Sequence, residues 1–290
     1  MGFISNFLGR IFGAKGLSLE ELARRIGKPG IAIGAVRTEY KRFSIPKKSG
    51  GRRDIDAPSA QLKALQRSIL RKVLAKLSVH EGCTGFERGK SIATHAAVHA
   101  GSAVLVRMDL KDFFASTTEA RVKEYFQTIG WSNAAAAELV RLCCFEGGLP
   151  QGAPTSARLS SVVNFGMDAA LARAAENRGA RYSRYADDLA FSFVSDDAGE
   201  VRSLITTVRQ ILRMNGYRVN RKKRIRILRR HQRQAVTGLV INNGVHLPRE
   251  KRRKLRAIEH RLRTGENSSM TREQVEGWRA LDAMVERVNA

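Results

Sequence analysis

The amino-acid sequence predicts an α+β fold, with an antiparallel sheet beside helices and a basic helical appendage towards the C-terminus. Three observations support this prediction. The chain opens with segments of helical periodicity, its middle interleaves strands with helices, and its tail combines a helical pattern with many arginines. An apolar fraction of 43% in 290 residues is sufficient for a buried core.

The first elements along the chain are helices and one hairpin. Apolar residues at helical spacing predict a short docking helix at the N-terminus. Residues 17–27 have the pattern of a capped helix, in which Ser18 is the N-cap and Gly27 ends the helix. Two short strands around a Lys/Gly/Arg turn are expected within 43–58, and a long amphipathic helix over 60–77.

Strands and helices alternate in the rest of the chain. Helices are predicted over 91–100, 118–130, 134–144, 156 to about 177, 199–215 and 249–290. Strands are predicted over 103–108, 181–186, 189–194, 217–219, 224–229 and 235–241. The turn-forming segment 147–156 is expected to be a loop.

The net charge indicates the class of partner. The chain has 52 Lys and Arg residues against 27 Asp and Glu, which gives +25 at pH 7. This excess favours a polyanionic partner, because it otherwise only adds self-repulsion to the compact state. Nucleic acid fits better than an acidic membrane surface, since no basic amphipathic helix with aromatic anchors is evident. No apolar stretch is long enough to cross a membrane, and no signal peptide is evident.

The cysteines and two histidines argue against a disulfide framework and against zinc. Cys83, Cys143 and Cys144 are odd in number and form no CxxC pair, so we expect a reducing cytoplasm. His95 and His99 are one helical turn apart, but no third ligand is evident and a structural role is favoured.

Three aspartates are the strongest candidates for chemistry. Asp187 and Asp188 stand at the tip of the hairpin formed by the strands 181–186 and 189–194, and their charges raise each other's pKa unless a cation neutralises them. Asp109 stands at the end of the apolar strand predicted over 103–108. Two Mg²⁺ ions roughly 4 Å apart would need such carboxylates from separate strands. A solvated Asp-Asp turn, and a helix-capping role for Asp109, are the alternatives.

Seven motifs resemble those of reverse transcriptases, and the bacterial retron group most closely, over roughly residues 17 to 260. In chain order they are Ile45–Pro58, Gly85–Phe86 with Gly89–Ile92, Asp109–Phe114, Leu149–Ser156, Tyr185–Asp188, Gly216–Lys223 and Val236–Gly238. One departure is His95, which stands where retron enzymes usually have asparagine.

The resemblance implies a right-hand polymerase fold. Its parts would be an N-terminal helical extension (1–30), fingers (31–103), a palm (104–235, with helices over 118–145), and a palm edge with a helical thumb (236–290). It also implies that Asp109, Asp187 and Asp188, with the backbone carbonyl of Leu110, bind two Mg²⁺ ions, for which Mn²⁺ could substitute.

Residues that contact the incoming nucleotide are implied in the same way. Lys47 or Lys48, with Arg53 or Arg52, would close on the triphosphate, since charged donors neutralise phosphate. Phe114 would exclude a ribose 2′-hydroxyl, and Gln151 and Gly152 would contact the nucleotide. Lys223 would donate a proton to the leaving pyrophosphate, or simply contact phosphate. A basic thumb helix would contact RNA or DNA through Arg249, Lys251, Arg252, Arg253, Lys254 and Arg256.

The implied function is an RNA-directed DNA polymerase of the bacterial cytoplasm. It would copy a dedicated structured non-coding RNA, serving as template and primer, into single-stranded DNA from dNTPs. Retron resemblance adds priming from an RNA 2′-hydroxyl, a role in antiphage defence and a separately encoded effector protein. The alternatives are a group II intron-like or diversity-generating reverse transcriptase, and a non-catalytic RNA-binding protein on a polymerase fold.

Overall fold

The computed structural model describes residues 16–47, 50–220, 223, 225–265 and 267–289, with the backbone alone for residues 31 and 32. The chain forms two compact units. The first unit comprises Met1–His80 and Asp112–Gly166, and the second unit comprises Glu81–Lys111 and Met167–Ala290. The predicted N-terminal docking helix and Lys48 lie outside the described residues.

The first unit is mainly helical and contains one hairpin. With elements numbered in chain order through both units, it contains α1 Leu19–Ile26, α2 Gly30–Gly34, β1 Tyr40–Pro46, β2 Arg52–Pro58, α3 Ala60–Ile69, a π-helical turn Leu70–Leu74, α5 Phe113–Ser116, α6 Glu119–Thr128, α7 Asn133–Cys143 and α8 Ser156–Val163. The strands β1 and β2 pair antiparallel, so the predicted hairpin is confirmed.

Local capping explains where α1 begins and ends. The Glu21 backbone N–H donates to Ser18 Oγ at 3.3 Å, and Gly27 adopts a left-handed φ of 76° at the other end. Both residues act as predicted. The apolar face predicted for α3 is also confirmed, since Leu62, Leu65 and Ile69 are buried in the core of this unit.

The second unit is built on a four-stranded antiparallel sheet. Its elements are α4 Ile92–Ala97, β3 Val104–Asp109, α9 Phe165–Glu176, β4 Ala180–Tyr185, β5 Asp188–Phe193, α10 Ala198–Met214, β6 Arg226–Arg229, β7 Ala235–Val236, β8 Leu239–Val240, α11 Arg249–Thr264 and α12 Arg272–Arg287. The first two residues of α9 still belong to the first unit. The strand order is β4-β5-β3-β6, and every neighbouring pair is antiparallel. This sheet places β3 between two strands that follow it in the sequence.

Several predicted helices are shorter or interrupted. The helix expected over 60–77 ends at Ile69 and continues as the π-helical turn, in which the Ala75 N–H donates to Leu70 O. The helix expected after residue 156 is broken at Asn164, whose side-chain amide donates to Ser160 O at 2.8 Å and competes with the helical backbone. The predicted helix over 91–100 contracts to α4.

Three predictions near the C-terminal end are wrong in detail. The strand expected at 217–219 is only a single bridge between Val219 and Leu110. The strand expected over 235–241 is the β7–β8 pair, because Thr237 and Gly238 have left-handed φ values of 48° and 86° and turn the chain. The helical tail is two helices, because Gly265 has a φ of 77° and ends α11.

The cysteines agree with the predicted absence of disulfides. Cys83, Cys143 and Cys144 are free and buried, and burial raises the pKa of the Cys143 thiol to about 12. Among the helices that the structure describes, none combines the length and the apolar character needed to cross a membrane.

Candidate active site

The three predicted aspartates lie close together at one end of the central strands, β3 and β5, of the second unit's sheet. Asp109 is the last residue of β3 and lies directly opposite Asp188, the first residue of β5. The Leu110 N–H donates to Asp187 O at 2.8 Å, which joins the end of β3 to the turn between β4 and β5. The sheet register therefore brings Asp109 next to Asp188 and to the turn that contains Asp187.

The carboxylates influence one another electrostatically. Burial raises the pKa of Asp187 above its ordinary value, and the negative charge of Asp109 raises it further. Burial also raises the pKa of Asp188, although Arg107 partly offsets this shift. The site therefore carries more negative charge than its surroundings neutralise.

Two of the three aspartates are paired with cationic side chains. Lys223 Nζ donates to Asp109 Oδ2, and Arg107 Nη2 donates to Asp188 Oδ2. Asn220 also contacts Asp109 twice, since its backbone N–H donates to Asp109 O at 2.7 Å and its amide donates to Oδ1 at 3.1 Å. Asp109 is thus oriented by Asn220 and Lys223, and Asp188 by Arg107.

The three carboxylates are suitable ligands for a divalent cation, although their side chains are not grouped around one point in this structure. Among the residues that the structure describes, no three His, Cys, Asp or Glu side chains are gathered closely enough to hold a metal ion. Asp109 and Asp188 are instead paired with Lys223 and Arg107. Raised carboxylate pKa values nevertheless indicate that positive charge would be stabilising here, and hard oxygen donors suit Mg²⁺.

A buried network supports the hairpin from within the second unit. Arg184 Nε donates to Asp168 Oδ1 at 2.7 Å and Nη2 donates to Oδ2 at 2.6 Å, with both side chains fully buried. Tyr182 Oη donates to the same Oδ1 at 2.7 Å. Arg184 Nη1 also donates to the carbonyl of Ala186, which has a left-handed φ of 54°. The pair therefore holds the strained residue that precedes Asp187.

The two histidines belong to a second buried cluster. His99 Nδ1 lies 2.7 Å from Ser192 Oγ and its Nε2 lies 2.7 Å from Ser183 Oγ, while His95 Nδ1 lies 2.7 Å from Thr84 Oγ1. Burial lowers the pKa of His95 to about 4, so the ring is neutral. These contacts support the predicted structural role.

Comparison with known proteins decides the family. The family model described as reverse transcriptase (RNA-dependent DNA polymerase) matches residues 45–241. The Retron Ec86 reverse transcriptase of Escherichia coli is 36% identical over 242 residues, covering 82% of this chain and 74% of that relative. The chain belongs to the retron reverse transcriptases. The Retron Mx65 reverse transcriptase of Myxococcus xanthus is also 36% identical, over 277 residues and 86% of this chain.

Length and fold complete the comparison. The chain spans 64% of the Mx65 relative and 58% of the Retron Mx162 reverse transcriptase, also from Myxococcus xanthus. A solved structure of truncated apo telomerase from Candida tropicalis is similar with a TM-score of 0.53 at 14% identity, covering 73% of this chain and 55% of that one. The predicted right-hand polymerase fold is thereby confirmed. His95, in place of the usual asparagine, does not remove the chain from the retron group.

The predicted nucleotide-binding residues of this reverse transcriptase lie mostly in its first unit. Lys47 and Arg53 are exposed beside the β1–β2 turn. The Gln151 carbonyl accepts from the Asp56 N–H at 2.9 Å. A Cβ on Gly152 would stand 2.7 Å from Asp56 O, so this glycine is required for the loop to approach the hairpin.

Two adjacent phenylalanines in α5 differ in burial. Phe113 is buried, whereas Phe114 is only partly buried and packs at the margin of the first unit's core. Phe113 is therefore a core residue, whereas part of the Phe114 side chain stays accessible. The roles of Phe114, Lys47, Arg53 and the 151–152 loop towards a nucleotide stay predictions.

The predicted nucleic-acid contacts of the thumb lie on an exposed helix face. The six predicted contact residues on α11 are all exposed: Arg249, Lys251, Arg252, Arg253, Lys254 and Arg256. Leu255 and Ile258 on the other face are buried in a small core with Val275 of α12. Lys251 Nζ lies 5.1 Å from the centre of the Trp278 ring, so one of the six also has a contact within the protein.

Sequence patterns did not identify Arg107, Asn220, Arg184 or Asp168 as parts of the site. Arg107 interrupts an apolar strand pattern next to Asp109, and that interruption was an available signal. Nothing in the sequence around Asp168 distinguishes it from a surface helix residue. Its pairing with Arg184 becomes visible only in the folded chain.

Proposed function

We propose that this retron reverse transcriptase is an RNA-directed DNA polymerase whose catalytic residues are Asp109, Asp187 and Asp188. The observation that carries the proposal is the register of β3 against β5, which puts Asp109 opposite Asp188 and next to the turn that bears Asp187. A structural turn would not need an uncompensated acidic group at this depth, because burial and mutual repulsion both oppose ionisation.

Two Mg²⁺ ions are the proposed cofactors, with Mn²⁺ as a substitute, held by the three carboxylates and the Leu110 carbonyl. When bound, they would lower the pKa of a primer hydroxyl and neutralise the triphosphate. Asn220 would keep Asp109 oriented, and Arg107 would do the same for Asp188. Lys223 pairs with the carboxylate of Asp109. Once that carboxylate bound metal, Lys223 would be available to donate a proton to the pyrophosphate.

The proposed substrates are dNTPs and a structured non-coding RNA. Lys47 or Lys48, with Arg53, would contact the triphosphate, and Gln151 and Gly152 the nucleotide. The exposed basic face of α11 suits the phosphates of a duplex or RNA stem, because A-form helices are recognised by shape and backbone. The excess of 52 basic over 27 acidic residues supports a nucleic-acid partner of this kind.

The names of the relatives support a finer proposal. Since several curated relatives are retron reverse transcriptases, we propose synthesis of a single-stranded DNA that is primed from an RNA 2′-hydroxyl. A role in antiphage defence with a separately encoded effector protein, in the bacterial cytoplasm, belongs to the same proposal. A group II intron-like or diversity-generating lineage is less well supported by these relatives.

Replacing one carboxylate tests the polymerase proposal. Asp187→Asn should lower primer extension on an RNA template with Mg²⁺ by at least ~10³-fold, because metal-borne stabilisation of several kcal/mol is lost. Asp196→Asn is the matched control, since Asp196 pairs with Arg229 at 2.6 Å in an exposed ion pair that contributes little. Near-normal extension by Asp187→Asn would exclude the proposed catalytic role.

Nucleic acid that co-purifies with the chain tests the retron proposal. Sequencing should yield one defined single-stranded DNA joined to RNA through a 2′ linkage, in amounts that disappear with Asp187→Asn. Random cellular RNA without attached DNA, recovered equally from both proteins, would instead favour the non-catalytic RNA-binding alternative.

A further inference from the structure

A basic pocket of about 930 Å³ lies in the second unit, between α10 and the segment that follows it. Three arginines line the pocket: Arg209 and Arg213 from α10 and Arg218 from the following segment. All three are exposed, and the described lining contains no acidic side chain. The catalytic proposal above gives these residues no role.

The arrangement of the arginines is unfavourable without an anion. Arg209 and Arg213 are four residues apart on one helix, where like charges repel each other and destabilise the helix. Within the described part of the chain, none of the three guanidinium groups forms an ion pair. Arg213 in the last turn also complements the helix dipole, but this explains only one of the three.

The floor of the pocket is apolar and indicates what kind of anion fits. Val219 and Ile225, which are partly exposed, form its accessible apolar surface, whereas Leu212 and Tyr217 line it but are themselves buried. A free phosphate or pyrophosphate would contact only the arginines and would leave this apolar surface without a contact. A nucleotide offers phosphate to the arginines and a base to the floor, and guanidinium planes themselves stack on bases.

The pocket also adjoins the catalytic carboxylate. Asn220 lines it, and the same residue donates to Asp109 O at 2.7 Å and to Oδ1 at 3.1 Å. Asn220 therefore connects the lining of the pocket to Asp109. A strand bound in the pocket would rest against the element that orients Asp109.

We propose that this pocket binds single-stranded nucleic acid, with phosphates on Arg209, Arg213 and Arg218 and one base on the apolar surface of Val219 and Ile225. The proposal rests on the proposed function only for which strand is bound, namely template RNA or newly made DNA. It defines a binding site separate from the triphosphate contacts and from the basic face of α11.

Binding of short oligonucleotides to the full chain tests the proposal. The probes are fluorescein-labelled oligouridine and oligothymidine of about twelve nucleotides, within the site sizes of single-strand binding modules. The test variant is the triple replacement Arg209→Gln, Arg213→Gln and Arg218→Gln. The control is the triple replacement Arg67→Gln, Arg71→Gln and Arg202→Gln, which removes the same charge from exposed residues outside the pocket.

The test variant should bind at least one probe about tenfold more weakly, with the salt dependence of log K reduced by about 1–2, because each phosphate contact contributes about 0.7. Loss confined to oligouridine assigns RNA, and loss confined to oligothymidine assigns DNA. An abasic probe should bind the wild type several-fold more weakly than oligothymidine, and this difference should vanish in the test variant. Equal weakening in test and control variants would overturn the proposal as a general charge effect.

A leaving-group site is the other outcome that the experiment separates. If inorganic pyrophosphate binds the wild type and not the test variant, while both bind the oligonucleotides equally, the pocket serves pyrophosphate and the proposal is wrong. The binding assays contain no dNTPs and need no turnover. Failure of primer extension by the wild type would therefore remove the proposed function and leave this inference standing.

Discussion

Asp168 and Arg184 form a bidentate ion pair in which both side chains are 0% exposed. Arg184 lies three residues before the proposed catalytic Asp187. The same guanidinium reaches the Ala186 carbonyl at 3.2 Å and Cys83 Sγ at 3.4 Å. A fully buried charge pair is costly to desolvate and is a weak source of stability by itself. Its geometry indicates a positioning role for the turn that precedes Asp187.

Breaking this pair should destabilise the protein strongly. Asp168→Asn leaves the Arg184 charge buried without a counter-charge, so we expect a loss of about 3–5 kcal/mol in the free energy of unfolding. Urea denaturation followed by circular dichroism measures it. Asp196→Asn removes one partner of an exposed pair and should cost less than about 1 kcal/mol. Similar losses in the two variants would contradict the buried role.

Gly85 should be essential because of its close approach to the hairpin turn. A Cβ at this position would stand 2.8 Å from the backbone nitrogen of Ala186, so Gly85→Ala must displace the turn. We expect kcat for primer extension to fall about 100-fold, as for a misplacement of about 1 Å at a reacting group. Gly166→Ala is the control, since its Cβ would meet no atom within 4 Å and the helix should gain up to about 1 kcal/mol.

Stability without divalent metal should depend on pH through Asp187. Because the pKa of Asp187 in the folded protein lies above its ordinary value of 3.8, the ionised carboxylate destabilises the folded state. Stability should therefore fall as pH rises through the raised pKa. Asp187→Asn lacks this penalty, so it should be more stable than the wild type at neutral pH in EDTA, and the difference should vanish below 3.8.

Urea titrations of both proteins across this pH range provide the measurement. Adding MgCl₂ at constant ionic strength should stabilise the wild type more than Asp187→Asn, because a ligand stabilises the state that binds it. A variant that is less stable than the wild type at every pH would show that Asp187 is not electrostatically strained.

Phe114 should select the sugar of the incoming nucleotide. Phe114→Ala should admit ribonucleotides, with the ratio of dNTP to rNTP incorporation falling by about tenfold or more, since pocket contacts of this size are worth ~1–3 kcal/mol. Single-nucleotide extension with each substrate measures the ratio. Phe113→Ala is the control: Phe113 is 4% exposed, so its loss should cost about 3–5 kcal/mol of stability without changing the ratio.

Local sequence chemistry was sufficient for elements whose boundaries depend on neighbouring residues. Ser18 and Gly27 specify the ends of α1, and the Lys/Gly/Arg segment between two short strands indicated the β1–β2 hairpin. Predictions from local sequence were wrong where single residues break a strand or a helix that the surrounding pattern predicts. Thr237 and Gly238 adopt left-handed backbone angles and divide an expected strand, and the Asn164 side chain competes for a helix carbonyl and divides an expected helix.

Local sequence was enough to predict that Asp109 ends a buried strand and that a hairpin carries Asp187 and Asp188, because strand and turn composition are encoded by adjacent residues. The sequence placed both acids at the hairpin tip, whereas Asp188 is the first residue of β5. The insertion of β3 between β5 and β6, which puts Asp109 opposite Asp188, became visible in the folded chain alone. The tertiary structure also decided that Arg107 reaches Asp188 across 81 positions and that Lys223 reaches Asp109 across 114. Such pairings depend on which strands gain most by packing together, and no local pattern contains that competition.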